Sequence, residues 1–173
     1  MRRMIIAVVV VLVVALVAGP ALAQEPRGCD KFKWPLEKEH ALLLSPAAAK
    51  TASGSALDKV PATALVVGLA PFGEAKLPMP PERAPKQPSS FAGFVRIGAV
   101  PKAGPYLVTL SAEAWVDVVQ GEHYVKSSGF SGALGCEGMR KSVKFDLGPG
   151  PFAVQISGAA ADSILMVITP AAE

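Results

Sequence analysis

The stretch KSVKFDLGPGPFAVQISGAAADSILMVIT, residues 141–169, contains three runs in which apolar and polar residues alternate. Successive side chains of a β-strand point to opposite faces, so the alternate apolar residues of each run share one face. These residues are Val143, Phe145, Leu147, Val154, Ile156, Ile164, Met166 and Ile168. Gly148-Pro149-Gly150 supplies a turn between the first two runs. The stretch predicts antiparallel strands that bury one face in a common core.

Four further runs lie upstream: FAGFVRIGAV, GPYLVTL, AWVDVV and HYVKS. In the second run Tyr106, Val108 and Leu110 share a face, and Gln120-Gly121 is a hairpin turn signal between the last two. A strand predicted at 62–70 brings the total to about eight strands. That number is enough for two packed sheets, so we expect an all-β fold, an antiparallel β-sandwich.

The N-terminal part of the chain is less regular. WPLEKEHALLLSP predicts a short helix with Pro35 in its first turn and Pro46 after its end. Six prolines between 71 and 90 exclude that segment from a sheet interior and predict a surface loop, or else a ligand for an aromatic-lined groove. We therefore expect a signal peptide at 1–23, an N-terminal arm with a short helix at 24–60, and a sandwich domain at 61–173 that includes the proline-rich loop 71–90.

The first 23 residues have the order of a secretory signal peptide. Arg2 and Arg3 precede an apolar run, which ends at Gly19-Pro20 and is followed by Ala21-Leu22-Ala23. We expect cleavage after Ala23, a periplasmic or secreted protein, and no membrane span after processing. An uncleaved membrane anchor is the alternative, because the apolar run is long enough to cross a bilayer.

Charge excludes one class of partner. Removal of the leader leaves 15 basic and 14 acidic residues in a mature chain of 150 residues. The basic residues form no stripe and are not interleaved with aromatic residues, so we expect no nucleic-acid partner.

The chain has two cysteines, Cys29 and Cys136, which are 107 residues apart. In an exported protein such a pair predicts a disulfide. Two alternatives remain open at this point. One is a nucleophilic thiol activated by His40 or His123, and the other is a zinc site built from both cysteines and both histidines.

Residues 104–170, together with CDKFKWPLEKE near the mature N-terminus, resemble small exported proteins of Alphaproteobacteria that are sometimes labelled homogentisate 1,2-dioxygenase. More distantly, the strand pattern around GPFAVQISG is similar to the jelly-roll modules of the pre-peptidase C-terminal type, which are accessory or binding domains of secreted peptidases. This second resemblance implies a jelly-roll-like sandwich and a binding role.

The dioxygenase label implies a non-haem iron site, which needs two histidines and a carboxylate. His40, His123 and Glu122 are the candidates for such a site. Neighbours in a strand point to opposite faces, so Glu122 and His123 do not chelate one ion without a bulge. We expect no cofactor.

The sequence offers two candidate binding features. AWVDVV places Trp115 and Asp117 on one face, with Tyr124 across the hairpin, which gives a ligand patch if the face is exposed and core if it packs against the N-terminal arm. GALGCEGMRK offers an anion-binding loop through Arg140 and Lys141.

We expect a non-catalytic envelope protein that binds a small molecule, a saccharide or another envelope protein. A small metal-dependent enzyme is the alternative.

Overall fold

Twelve strands, one α-helix and two 3₁₀ turns make up the described chain. The computed structural model describes residues 24–172, and the predicted signal peptide lies outside the described residues. The helix is α1 (Glu37–Leu44), and the 3₁₀ turns are Cys29–Lys31 and Phe72–Glu74. The strands are β1 (Ala49–Thr51), β2 (Ala56–Leu57), β3 (Leu65–Gly68), β4 (Ala70–Pro71), β5 (Phe91–Ile97), β6 (Gly104–Leu110), β7 (Trp115–Gln120), β8 (His123–Val125), β9 (Ser127–Gly132), β10 (Lys141–Leu147), β11 (Phe152–Ala159) and β12 (Ser163–Pro170).

The strands form two sheets that pack face to face as a β-sandwich. Sheet 1 has the order β1-β3-β12-β6-β10-β9, and sheet 2 has the order β2-β5-β11-β7-β8, with β4 paired to β5. Neighbouring strands are antiparallel except for β1 with β3 and β2 with β5. The predicted all-β class is confirmed.

The strand number differs from the prediction of about eight. The four additional strands are β1, β2, β4 and β9. Three of them have only two or three residues, and β9 has the sequence SSGFSG, which shows no apolar alternation. These segments are strands because a neighbour supplies their hydrogen bonds, a cause that local sequence does not reveal.

The core between the sheets contains every residue that the alternation pattern selected. The buried residues Val143, Phe145, Leu147, Val154, Ile156, Ile164, Met166 and Ile168 pack in one cluster with Tyr106, Val108 and Leu110. The connection at 148–150 is not a hairpin, because it crosses from β10 in sheet 1 to β11 in sheet 2, and the strands β10, β11 and β12 each pair with other strands and not with one another. The predicted hairpin turn between β7 and β8 is present. Gly121 and Glu122 have φ of 58° and 63° between β7 and β8, as a two-residue hairpin loop requires.

The N-terminal arm covers the outer face of sheet 1. Leu36 and Leu43 pack on Leu107 and Val167 in a second buried cluster. The predicted helix is confirmed, but it begins at Glu37, so Pro35 precedes the helix and is not in its first turn. None of the helices described in residues 24–172 is long and apolar enough to cross a membrane.

A disulfide between Cys29 and Cys136 ties the arm to the segment between β9 and β10, as predicted, with the two Cα atoms 4.8 Å apart. Backbone hydrogen bonds support the same junction: Gly28 N donates to Leu134 O, and Leu134 N donates to Pro26 O, each at 2.8 Å. A disulfide that ties distant segments fits an oxidising compartment.

The proline-rich loop covers the outer face of sheet 2. Met79 N donates to Gln155 Oε1 at 2.8 Å, and Glu82 N donates to Asp117 Oδ2 at 3.3 Å. The outward side chains of β11 are consequently buried even though they are small or polar; they are Ala153, Gln155 and Ser157. The arm and the loop therefore each cover part of the outer face of one sheet.

Loss of the disulfide is expected to destabilise the fold. We predict that the Cys29→Ala/Cys136→Ala variant loses about 3–5 kcal/mol of unfolding free energy, because the bridge closes a long loop in the unfolded chain. Urea unfolding monitored by circular dichroism measures the change. The wild-type chain treated with a dithiol reductant is the matched control and should lose a similar amount. An unchanged urea midpoint in the double variant contradicts the prediction.

Candidate ligand cleft

Trp115 and Asp117 lie side by side on the outer face of sheet 2. Trp115 Nε1 donates to Asp117 Oδ1 at 2.6 Å, and Asp117 is only 2% exposed. Val116 and Val118 point the other way into the core, as the alternation predicted. The hydrogen bond fixes the orientation of the indole ring.

The sequence left two possibilities for this face, exposure to solvent or packing against the N-terminal arm, and the structure shows neither. The face is not open, and the segment that packs on it is the proline-rich loop, not the N-terminal arm. The Glu82 amide binds Asp117, and the half-buried Tyr124 donates its hydroxyl proton to the Pro80 carbonyl. The predicted patch is therefore mostly a docking surface for the chain's own loop, and only Trp115 keeps access to open cavities.

Burial raises the pKa of Asp117 above its ordinary value. Hydrogen bonds from Trp115 Nε1 and the Glu82 amide oppose this effect, because they favour the charged carboxylate. The neighbouring Glu82 carboxylate raises the pKa further. A buried carboxyl that receives two N–H donors thus connects β7 to the loop.

A cleft of about 570 Å³ opens beside Trp115. Its floor consists of the core residues Val116, Val143 and Phe145, which belong to both sheets, so the cleft enters the sandwich between them. We call this cavity the Trp115 cleft. Its other lining residues are Glu25, Pro26, Glu82, Arg83, Lys86, Glu113, Trp115, Ser127, Phe130, Ser131, Gly132, Arg140 and Lys141.

Two cations flank the indole ring at the cleft. Arg83 Cζ and Lys141 Nζ each lie 5.5 Å from the Trp115 ring, within the range of cation–π attraction. Arg83 comes from the proline-rich loop and Lys141 from β10 of the opposite sheet. The cleft therefore joins an apolar floor to a charged rim.

Arg140 and Lys141 lie at this rim and not in an isolated loop. Arg140 pairs with Glu25 at 2.6 Å and with Glu113 at 3.1 Å, and Lys141 pairs with Glu113 at 3.2 Å. Both carboxylates are more than half exposed, so solvent weakens these pairs. The predicted anion-binding pair is thus partly neutralised by two glutamates.

The structure does not bring His40, His123 and Glu122 together. His40 lies on α1 over sheet 1, whereas Glu122 and His123 lie at the β7–β8 turn of sheet 2. Within residues 24–172, a group of at least three close potential metal ligands forms only at Cys29, His40 and Cys136. The sulfur atoms of Cys29 and Cys136 are bonded to each other, so neither cysteine is the thiolate that metal binding requires.

Sequence reasoning missed Arg83, Lys86, Glu113 and Phe130, which line the cleft. The sequence signals only two of them, Arg83 and Lys86, and only weakly: they are the cations of PERAPK in the proline-rich loop. Nothing in the local sequence places that loop beside Trp115. Phe130 is 62% exposed at the cleft mouth. It lies in β9, whose sequence has no alternation of apolar and polar residues, so the sequence did not place it.

Comparisons with protein-family models, with curated protein sequences and with solved structures each return no match for this chain.

Asp117→Asn is expected to destabilise the protein in a pH-dependent way. The protonated carboxyl at acid pH can accept through its carbonyl and its hydroxyl oxygen, whereas the amide nitrogen of asparagine cannot accept; one of the two N–H donors therefore loses its acceptor, and we predict a loss of about 1–3 kcal/mol at acid pH. The pKa of Asp117 is higher in the folded protein than in the unfolded chain, where it is 3.8. Asp117 therefore contributes its full stability below pH 3.8, and this contribution is lost as the pH rises through the folded pKa. The cost of the substitution should therefore shrink from about pH 3 to about pH 7.

Urea unfolding of both proteins across this range measures the effect. Asp146→Asn, at an exposed aspartate of β10, is the matched control. A cost that grows with pH contradicts the assigned direction of the pKa shift.

Proposed function

We propose that this chain is an exported, non-catalytic binding module of the cell envelope that takes a small molecule in the Trp115 cleft. The observation that carries the proposal is the cleft itself. A volume of about 570 Å³ lies in the range of small-molecule sites, which typically combine an apolar lining with a few polar groups. Val116, Val143 and Phe145 supply the apolar part, and the rim supplies the polar groups.

The rigidity of the walls supports a binding role. Trp115 is held by its hydrogen bond to Asp117, and Asp117 in turn is held by the loop amide of Glu82. Side chains that are fixed before a ligand arrives lose less entropy on binding. Small organic molecules or saccharides fit such a site better than a protein partner, because the floor is concave and recessed.

We further propose that the sandwich is a jelly roll. The strand order β3-β12-β6-β10 faces the order β5-β11-β7-β8, and the chain passes repeatedly from one sheet to the other. Jelly rolls are frequent in lectin and other binding domains. The fold alone does not define a ligand, so the proposal of function depends on the cleft.

The proposed location is the periplasm or the extracellular space. The disulfide supports it, because such bonds persist in oxidising compartments. The signal-peptide pattern at 1–23 supports it independently.

A bulky residue at the cleft mouth is expected to abolish binding. Ser127 lines the cleft, whereas its neighbour Ser128 does not and donates to the Lys144 carbonyl outside it. Thermal-shift measurements would screen sugars, sugar acids, alcohols and short fatty acids. We expect compounds that stabilise the wild-type chain to lose their effect in Ser127→Trp and to keep it in Ser128→Trp. The proposal fails if no compound binds, or if Ser127→Trp binds as well as wild type.

Export and oxidation are tested by mass. We expect native mass spectrometry of the full-length gene product, recovered from the periplasm, to give the mass of Gln24–Glu173 less two hydrogens, with no metal. A retained leader contradicts the export part of the proposal. A stoichiometric metal ion that disappears in His40→Ala or His123→Ala favours a metal-dependent enzyme instead.

A further inference from the structure

A second cavity, of about 270 Å³, also borders Trp115 and is lined by residues 83–87 of the proline-rich loop and by Ser157 and Gly158 of β11. It shares Arg83, Lys86, Glu113, Trp115 and Lys141 with the Trp115 cleft. The two cavities are therefore adjacent and share three cations, whereas Arg140 lines the Trp115 cleft alone. We call the second cavity the loop pocket.

The charges of the loop pocket are unbalanced. Its lining contains three cations and one carboxylate, Glu113, which already pairs with Arg140 and Lys141. Among the described residues, no carboxylate lies within salt-bridge distance of Arg83 or Lys86. These two loop residues are exposed and line both cavities, so their positive charge is available to a ligand there.

A buried hydroxyl points to the same ligand chemistry. Ser157 lines the loop pocket, is only 1% exposed, and its Oγ has no hydrogen-bond partner. It lies directly beside Trp115 in the pairing of β11 with β7. A buried hydroxyl without a partner costs folding free energy, so a position that retains one is a candidate for contact with a ligand acceptor.

We propose that the loop pocket binds the anionic group, a carboxylate or a phosphate, of the small molecule whose body occupies the Trp115 cleft. This inference rests on the proposed function. Arg83, Lys86 and Lys141 supply charge-assisted N–H donors, and Ser157 supplies an O–H donor at the floor. Cation–π contacts with Trp115 hold Arg83 and Lys141 near the site before the ligand binds.

Matched probes test the charge requirement on the disulfide-bonded mature chain. One series is D-glucose, D-glucuronate and glucose 6-phosphate, and the other is hexanol, hexanoate and hexyl phosphate. Isothermal titration calorimetry is expected to show that an anionic member of a series binds at least about tenfold tighter than its neutral member. Its advantage should fall with added salt. The comparison within a series also distinguishes a carboxylate from a phosphate ligand.

Substitution of the loop cations should remove the advantage. We expect Arg83→Gln/Lys86→Gln to weaken the preferred anion about tenfold or more while leaving the neutral member unchanged. Lys59→Gln/Lys102→Gln removes the same net charge from exposed positions outside the pocket and is expected to bind like wild type.

Ser157→Ala separates a ligand contact from a structural role. We expect this variant to be at least as stable as wild type, because it removes an unpartnered hydroxyl, and yet to bind the anion about fivefold more weakly. Ser163→Ala, at an exposed serine, is the control. The inference is wrong if both Ser157→Ala and Arg83→Gln/Lys86→Gln bind the anion as tightly as the wild-type chain does.

The two proposals fail in different ways. If neutral and anionic members bind with equal affinity and Ser127→Trp abolishes that binding, the anionic-group inference is wrong and the proposed function stands. If no member of either series binds, both proposals are wrong.

Discussion

The central strand β11 is buried on both faces, and this constraint organises the molecule. Its inward residues Val154 and Ile156 are apolar, but its outward residues Gln155 and Ser157 are polar and no more exposed than the core. Polar groups removed from water need partners. The proline-rich loop provides one through the Met79 amide, which donates to Gln155, and the loop is thereby fixed over sheet 2.

Proline makes this loop suited to that role. Six of its residues have no N–H group, so the loop covers the sheet with fewer donors of its own to satisfy than an ordinary loop of that length. The amides of Met79 and Glu82 are the ones that reach the sheet, at Gln155 and Asp117. These two bonds, together with the bond from the Tyr124 hydroxyl to the Pro80 carbonyl, set the loop's register, and that register places Arg83 beside Trp115. Restricted backbone freedom in the unfolded chain also lowers the entropy lost when the loop docks.

The sequence predicted what depends on local alternation. Val143, Val154 and Met166 are in the core because their spacing repeats every second residue, and the hairpin at Gly121 follows from turn chemistry. The cysteine pair was also predictable, since compartment and number constrain it. These features need no knowledge of distant contacts.

The candidate site depends on distant contacts and was only partly predictable. The shared face of Trp115 and Asp117 followed from alternation, but what covers it did not. The loop residue that binds Asp117 is 35 positions away, and the bond from Met79 to Gln155 spans 76 positions. A surface proline-rich loop and a loop that covers a sheet have the same composition. The pairing partners of β9, and with them the exposure of Phe130, are likewise set by tertiary structure.

The Trp115 cleft lies where the coverings of the two sheets meet. The N-terminal arm, which covers sheet 1, contributes Glu25 to the rim, and the proline-rich loop, which covers sheet 2, contributes Arg83 and Lys86. Glu25 pairs with Arg140 only four residues before Cys29, so the disulfide also restrains this ion pair. The backbone hydrogen bonds of Pro26 and Gly28 with Leu134 hold the same segment against the chain between β9 and β10. The junction that ties the arm to the sandwich thus also positions one of the two carboxylates that pair with Arg140.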